Sequence, residues 1–353
     1  MIELRQLSVR LGKFALDDVG LTVHRGEYFV LLGPTGAGKT VLLEAIAGVQ
    51  PIRAGEIWLA GRDVTRIEPE KRGVSIVYQG QMLFPHLTVR KNIVFGLRIR
   101  REPSGKIAAA LARVVALLGI EHLLDRRPET LSGGEAQKVA LARAIVTEPD
   151  ILLLDEPLGA LDPQSRDGVQ QELARLHKSL GLTILHVTHD FQEAITLGGC
   201  IAVLGEGKIQ QVGLPDEVFR QPSSEFVARF TMAMNVFNGY AAKDADGRTM
   251  FSTGGISITS NDDLEGSCLA SIRPEELQVG PAMPRSAKGD VGNHFWGVIT
   301  QITDRGAVVY ITVELPPSLE CLVTRRAYQE MGLYVGQQAC VTIRASSVHL
   351  FEG

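Results

Sequence analysis

One segment near the amino terminus restricts the fold more than any other. The apolar run 28–32 leads directly into GPTGAGKT at 33–40. A GxxxxGK[ST] loop between a strand and a helix turns its backbone N–H groups around phosphate oxygens, and the helix dipole adds positive charge. We expect Lys39 to contact the β and γ phosphates and the Thr40 hydroxyl to coordinate Mg²⁺. The predicted nucleotide-binding residues are Gly33, Pro34, Thr35, Gly36, Ala37, Gly38, Lys39 and Thr40.

An acidic pair follows a second buried-strand pattern. Four apolar residues at 151–154 precede Asp155 and Glu156. Ligands bind at the carboxyl ends of strands in parallel α/β sheets. We therefore expect Asp155 to bind Mg²⁺, directly or through water, and Glu156 to polarise the water that attacks the γ phosphate. The alternative is that the two carboxylates are simply exposed to solvent and have no function. The presence of the phosphate loop in the same chain disfavours this alternative.

Length and composition narrow the class of protein. The 353 residues suggest two domains, and 45% hydrophobic residues suit a folded globular chain. The net charge of −4 provides no basic field for nucleic acid. Four widely spaced cysteines without a CxxC pair disfavour zinc or redox chemistry and fit a reducing cytosol. The sequence has neither a secretory leader pattern nor an apolar span, so we expect membrane association only through a partner.

The pattern changes along the chain. Strand-like and helix-like segments alternate up to about residue 235, with an amphipathic run at 107–118 inside a helical insert of about 85–148. Beyond that point, apolar and polar residues alternate with many glycines. We predict an α/β domain at 1–235 and a small, mostly antiparallel β barrel at 236–353.

The sequence LSGGE at 131–135, followed by a helical run, resembles the signature of ABC ATPases. Ser132 is expected to cap the helix 133–145, whose glycine backbone and dipole form a second phosphate site. The resemblance implies that two subunits pack head to tail as a homodimer. Each ATP then lies between the loop 33–40 of one subunit and the signature of the other. The residues implied to contact the partner's nucleotide are Ser132, Gly133, Gly134, Gln137 and Asp162.

Other elements of that family occur in the same order and cover about residues 1–235. By resemblance, Gln79 contacts Mg²⁺ and the lytic water, and its loop at 79–85 senses a permease. His189 contacts the γ phosphate, Asp162 communicates across the dimer, and Phe14 stacks on adenine. Taken alone, His189 would more often be structural and Phe14 simply part of the core.

The carboxyl-terminal pattern resembles the importer branch of the family, in which the ATPase carries a regulatory barrel. RPE at 273–275 fits that barrel. The resemblance implies an ABC-type P-loop NTPase domain with antiparallel β and helical subdomains, and an OB-like, TOBE/Mop-type barrel. It also implies ATP and Mg²⁺ as cofactors, a transmembrane permease and an external binding protein as partners, and a peripheral position on the cytoplasmic face of the membrane.

For the substrate, segments 26–30, 324–326 and 344–349 resemble molybdate/tungstate importer ATPases. A serine pair beside a cation can hold a tetrahedral dianion. Asp290 and Gly292 depart from the Ser-x-Arg-Asn pattern of oxyanion barrels, which predicts weak or absent sensing. Importers of ferric iron, sulfate, polyamines or sugars, and a soluble non-transport ABC ATPase, are the alternatives. The predicted oxyanion sensor consists of Asn293, Arg325, Ser346 and Ser347.

Overall fold

The computed structural model describes residues 1–12, 14–281 and 293–352. The chain divides into two compact units, 1–215 and 216–353. Within the described residues, every helix is too short or too polar to cross a membrane.

The first unit is a mixture of strands and helices. Its strands are Ile2–Leu11 (β1), Phe14–Val23 (β2), Tyr28–Leu32 (β3), Ala54–Leu59 (β4), Arg62–Asp63 (β5), Val74–Val77 (β6), Ile151–Asp155 (β7), Thr183–Thr188 (β8), Cys200–Gly205 (β9) and Lys208–Gly213 (β10). Its helices are Lys39–Ala47 (α1), Val89–Ile93 (α2), Phe95–Ile99 (α3), Ser104–Leu118 (α4), Gly133–Ile145 (α5), Pro163–Leu180 (α6) and Phe191–Leu197 (α7).

A six-stranded sheet carries the predicted phosphate chemistry. Its order is β10-β9-β3-β8-β7-β6, and every neighbouring pair is parallel except β9 with β10. Every residue of β3, β7 and β8 is buried. Strands covered on both faces carry continuous apolar runs, which is the pattern that the sequence shows at 28–32 and 151–154.

A second, antiparallel sheet of order β2-β1-β4-β5 packs over the first one. Their shared core contains Leu4, Leu16 and Ile57 from the antiparallel sheet, and Leu31 and Leu153 from the parallel sheet. The helix α1 contributes buried apolar residues to the same core. The helices α2 to α5 follow between residues 89 and 145, in the span that the sequence predicts to be helical.

The second unit is mainly antiparallel β structure. It contains Pro215–Arg220 (α8), Glu225–Phe230 (α9), Asn235–Lys243 (β11), Thr249–Thr253 (β12), Ile256–Ser260 (β13), Gly266–Ile272 (β14), Leu277–Pro281 (β15), Asn293–Asp304 (β16), Val308–Glu314 (β17), Leu319–Thr324 (β18), Arg325–Met331 (α10), Gln338–Ile343 (β19) and His349–Phe351 (β20). Its described strands form two five-stranded sheets, β13-β12-β11-β14-β20 and β15-β19-β16-β17-β18. One apolar core joins both sheets. The predicted fold class, mixed α/β followed by an antiparallel β domain, is confirmed.

One buried arginine secures the carboxyl end of α1. The guanidinium of Arg72 donates to the carbonyl oxygens of Ala45 at 3.0 Å and Ile46 at 2.9 Å, and its Nε donates to Ile67 at 2.8 Å. Arg72 is only 9% exposed. A cation at this position satisfies carbonyl groups that the end of a helix leaves without partners.

We predict that Arg72→Leu lowers the free energy of unfolding of the first unit by about 3 kcal/mol, because buried carbonyl groups lose a charged donor. Urea unfolding followed by the fluorescence of Trp58, in a Trp296→Phe background, measures this unit. Lys71→Leu is the matched control, since the Lys71 side chain is 66% exposed. Equal losses of unfolding free energy in the two variants would contradict the role of Arg72 at the end of α1.

Candidate active site

The loop 33–38 connects β3 to α1. Gly38 adopts φ 97°, a left-handed conformation that disfavours residues with a Cβ, and it precedes the first residue of α1. A Cβ at Gly38 would also overlap the ring of Phe14. Both constraints explain why glycine occupies this position at the amino end of the helix.

Lys39 lies folded against the loop. Its Nζ donates to the carbonyl oxygens of Gly33 at 2.8 Å and Pro34 at 3.1 Å, and lies 3.8 Å from Glu156 Oε1. Burial lowers the pKa of Lys39, while the carboxylates of Glu156 and Asp155 act in the opposite direction. The ammonium group is therefore already held within the loop, beside the acidic pair.

Thr40 on α1 contacts Asp155 at the end of β7. The Thr40 hydroxyl donates to Asp155 Oδ1 at 3.0 Å, and Asp155 is buried at the end of β7. Burial raises the pKa of Asp155, and the bond from Thr40 opposes this rise. A buried carboxylate beside a hydroxyl provides the oxygen ligands that hard divalent cations prefer.

Glu156 is the meeting point of three other side chains. It adopts φ 43°, and its amide donates to the carbonyl of Val187 on β8 at 2.9 Å. Its Oε1 lies 3.0 Å from Nδ1 of His189, and its Oε2 accepts from Gln79 Nε2 at 3.3 Å. The predicted catalytic residues Glu156, His189 and Gln79 therefore lie together, with Lys39 beside them.

Phe14 is half-buried and packs against the core of the first unit. Its ring lies against Gly38 of the phosphate loop. The position is compatible with both interpretations of Phe14, as a core residue and as a platform for adenine.

The signature segment begins α5 as predicted from its sequence. The Ser132 hydroxyl accepts from the Glu135 amide at 3.3 Å, and the Glu135 carboxylate accepts from the Ser132 amide at 2.8 Å. These reciprocal bonds form a capping box, which leaves Ser132 and Gly133 exposed at the amino end of the helix. Hydrogen bonds from Ser132 lower the pKa of Glu135.

The other two predicted partner contacts differ in exposure. Asp162 is exposed and caps α6 by accepting from the Ser165 amide at 3.0 Å. Gln137 is only 1% exposed, and its Nε2 has no hydrogen-bond partner among the described residues. A contact between Gln137 and a second subunit therefore requires the side chain to leave its buried position.

Two residues that sequence reasoning missed hold the loop that follows Gln79. Asn92, fully buried on α2, accepts from the Phe84 amide at 2.8 Å and donates to the carbonyls of Phe84 and Leu87. Arg143 on α5 donates to the carbonyls of Met82 at 2.9 Å and Gln81 at 3.1 Å. Neither residue belongs to a motif, so only the fold reveals their contacts.

The predicted oxyanion residues do not form one cluster. The Asn293 amide is engaged with Thr259 on β13 and with the Ile343 carbonyl at 3.2 Å. Arg325 makes an ion pair with Asp304 at 3.4 Å. Asp290 and Gly292, part of the noted departure from the oxyanion pattern, lie outside the described residues.

Ser346 and Ser347 line a cavity of 350 Å³ in the second unit, together with Arg220, Arg273 and Arg344. Several of its charges are already paired. Arg220 lies 3.2 Å from Glu276, and Ser347 donates to the same carboxylate at 2.9 Å.

Comparisons with known proteins agree with the motifs. The ABC transporter family matches residues 16–159, and the TOBE domain matches residues 290–350. The molybdate/tungstate import ATP-binding protein WtpC of Pyrococcus horikoshii is 39% identical over 99% of this chain and 100% of its own length. The WtpC protein of Thermococcus kodakarensis is 46% identical over 75% of this chain and 79% of its own length.

A relative with a different named substrate is similarly close. The spermidine/putrescine import ATP-binding protein PotA of Bacteroides thetaiotaomicron is 39% identical over 100% of this chain and 73% of its own length.

Solved structures show the same fold. A dimeric, post-hydrolysis ATP-binding cassette bound to ADP and Pi matches with a TM-score of 0.55 and 26% identity, over 61% of this chain and 99% of that chain. A subunit of an ABC transporter complex from Clostridium perfringens matches with a TM-score of 0.58 and 29% identity, over 65% of this chain and 92% of that chain. The family predicted from the signature motif is confirmed: this chain belongs to the import ATP-binding proteins of ABC transporters, and it is an ATPase.

Proposed function

We propose that this chain drives the import of molybdate or tungstate through a separate permease, by hydrolysing ATP between two copies packed head to tail at the cytoplasmic face of the membrane. We assign hydrolysis to these residues because Lys39, Gln79 and His189 all lie against the Glu156 carboxylate. The similarity to WtpC over almost the full chain supports the substrate.

Phosphate binding is assigned to the loop 33–38 and the first turn of α1. Backbone N–H groups of the loop and the positive end of the helix dipole attract phosphate oxygens. Lys39, now bonded to two loop carbonyls, exchanges these for the β and γ phosphates. Since the Lys39 side chain is 5% exposed and its ammonium group already lies beside the site, little side-chain ordering is required.

Thr40 and Asp155 fit a magnesium site. Their oxygens lie 3.0 Å apart, and the carboxylate is buried where a cation would compensate its charge. Bound Mg²⁺ would neutralise charge on the phosphates. Gln79 donates a hydrogen bond to Glu156, the neighbour of Asp155. We assign Gln79 to contact the metal and the lytic water.

Glu156 is assigned to orient and polarise the attacking water. A carboxylate accepts hydrogen bonds only, so Nδ1 of His189 donates to Glu156, and Nε2 would donate to the γ phosphate in the form of the ring that carries a proton on both nitrogens. His189 is 52% exposed, which leaves its ring accessible to a ligand. This arrangement supports Glu156 as the acceptor of the water proton and His189 as a phosphate contact.

The second half-site is assigned to Ser132, Gly133, Gly134, Gln137 and Asp162 of the other copy. The capping box fixes the amino end of α5, and its exposed backbone can bind the phosphates of a partner's nucleotide. The dimeric cassette bound to ADP and Pi supports this arrangement.

The loop held by Asn92 and Arg143 is assigned to contact the permease. Its Met82 is 61% exposed.

Replacing Asp155 by Asn tests the metal assignment. Because the folded pKa of Asp155 lies above its ordinary 3.8, the ionised carboxylate costs stability. This cost appears as the pH rises past 3.8 and is constant above the folded pKa. We predict that Asp155→Asn raises the melting temperature of the nucleotide-free protein, more at about pH 7 than at about pH 4. Turnover with Mg-ATP falls by about a hundredfold or more. Asp150→Asn, at an exposed acid, should change neither quantity, and unchanged turnover in Asp155→Asn would refute the role.

Glu156→Gln tests the role of the carboxylate in water activation. We predict that the variant binds ATP and forms a stable dimer, while ATP turnover falls by about a hundredfold or more. Light scattering after size exclusion, with and without Mg-ATP, measures the dimer, and phosphate release measures turnover. Glu121→Gln, at an exposed glutamate, is the control. Hydrolysis at the normal rate in Glu156→Gln would remove the assignment.

The substrate has a second candidate. Similarity to PotA at 39% identity over the whole chain favours polyamine import as the alternative, and ferric iron, sulfate and sugar importers share the same ATPase motifs. A soluble ABC ATPase without a permease is the alternative of another class. The permease and binding protein select the substrate in such transporters, so the complete transporter is needed for the test.

In the second unit, we propose that oxyanion sensing is weak. The Asn293 amide and the Arg325 guanidinium already have partners, and the Ser347 hydroxyl donates to Glu276. An incoming dianion would have to displace these bonds. Ser346 and Arg344, both exposed in the same cavity, are the groups most available to it.

The decisive experiment reconstitutes the chain with its permease and external binding protein in proteoliposomes. We predict that molybdate or tungstate on the outside raises ATP turnover about fivefold or more, whereas sulfate and spermidine do not. Glu156→Gln is the inactive control. Stimulation by spermidine alone would support the PotA alternative. Strong inhibition by molybdate on the cytoplasmic side would contradict weak sensing without affecting the transport proposal.

A further inference from the structure

His189 lies inside a small hydrogen-bonded loop that no motif reveals. The hydroxyl of Thr188, the residue before it, accepts from the amide of Asp190, the residue after it, at 3.0 Å. Thr188 is the last residue of β8 and pairs with Leu32, the residue before the phosphate loop. The backbone on both sides of His189 is therefore tied together, directly beside the strand that carries the loop.

The Thr188 hydroxyl has a second partner that fixes its orientation. It donates to Glu193 Oε2 at 2.7 Å. Thr188 is 2% exposed and Glu193 is 3% exposed. Because the hydroxyl has one proton, which Glu193 accepts, its lone pair is directed to the Asp190 amide. A buried carboxylate thus determines which way the hydroxyl points.

Glu193 is held as a carboxylate by its surroundings. Burial alone raises the pKa of Glu193, but the contacts with His186 and Thr188 and the charge of Arg166 outweigh it, and the pKa lies below its ordinary value. His186 is fully buried, with Nε2 3.3 Å from Glu193 Oε2, off the line of a well-aligned hydrogen bond. Its Nδ1 lies 3.0 Å from the Tyr28 hydroxyl on β3.

Asp190 extends the loop to two helices. Its Oδ1 accepts from the amides of Gln192 and Glu193 and so caps α7. Its Oδ2 lies 3.2 Å from Arg166 on α6. The side chains on both sides of His189 are therefore anchored to regular elements, which limits the movement of its backbone.

We infer that Thr188 and Glu193 are positioning residues, whose hydrogen-bonded chain from Glu193 through the Thr188 hydroxyl to the Asp190 amide fixes the backbone of His189 for hydrolysis. The inference rests on the proposed role of His189 at the γ phosphate. Both residues are buried, 2% and 3% exposed, so we assign both to act through His189. Without the hydroxyl, the His189 ring departs from Glu156 Oε1, now 3.0 Å away, and the chemical step slows while ATP binding is retained.

Thr188→Val tests this in the full chain, since valine keeps the shape and removes the hydroxyl. We expect the kcat for Mg-ATP to fall by about tenfold with the KM changed less than about twofold, and Thr188→Ser to restore the kcat to within about threefold. Thr183→Val is the matched control. Thr183 lies at the other end of β8, is also 2% exposed, and its hydroxyl accepts from the Gly26 amide at 3.0 Å. Equal losses of kcat in the two valine variants would overturn the inference.

Two further variants separate this inference from the proposed function. In a His189→Ala background, Thr188→Val should lower the kcat no further, because the hydroxyl acts through His189. An additional tenfold loss would overturn the positioning role while leaving His189 catalytic. A normal kcat in His189→Ala itself would instead refute the proposed role of His189. If Thr188→Val does not fold, Glu193→Gln tests the same chain from its other end, and an unchanged kcat there overturns the inference.

Discussion

The Glu156 carboxylate can meet Lys39 and His189 only because β3, β8 and β7 run parallel and in register. Leu32 pairs with Thr188, and Asp155 pairs with Val187, so the carboxyl ends of the three strands form one edge. The residues that follow these ends face the same space. Since the strands are fully buried, a shift of register would move apolar side chains out of the core. Packing therefore holds the polar groups in place.

This constraint explains which parts of the site the sequence predicts. The phosphate loop, Asp155 and Glu156 each follow an apolar strand directly, so their placement depends on local sequence and on one rule of sheet topology. Thr188 and Glu193 lie close to a motif, yet their hydrogen bond depends on where the first turn of α7 lies relative to the end of β8. Asn92 and Arg143 bind residues of the loop at 81–87 that lie 8 and 61 positions earlier in the chain. Periodicity carries no information about such contacts.

In the second unit, the sequence predicts the strands but not how they pair. Alternating residues predict antiparallel strands, and these strands are present. The division into two five-stranded sheets depends on pairings such as β14 with β20, which lie far apart in the chain. Asn293 resembles a ligand in sequence, but its amide joins β13 to β19. A residue type compatible with binding an anion becomes a ligand only if the fold leaves its donors without partners.

The helix α5 connects two assigned surfaces of the first unit. Its amino end presents the capping box at Ser132, and one of its last residues, Arg143, holds the carbonyls of Gln81 and Met82. Thirteen residues of helix span roughly 20 Å without an internal hinge. In the proposed dimer, a displacement of the signature segment by a partner's nucleotide would therefore move the anchor of the loop as well, because a regular helix transmits a shift along its axis with little deformation. The loop would then respond to nucleotide through the bonds from Arg143 to Gln81 and Met82.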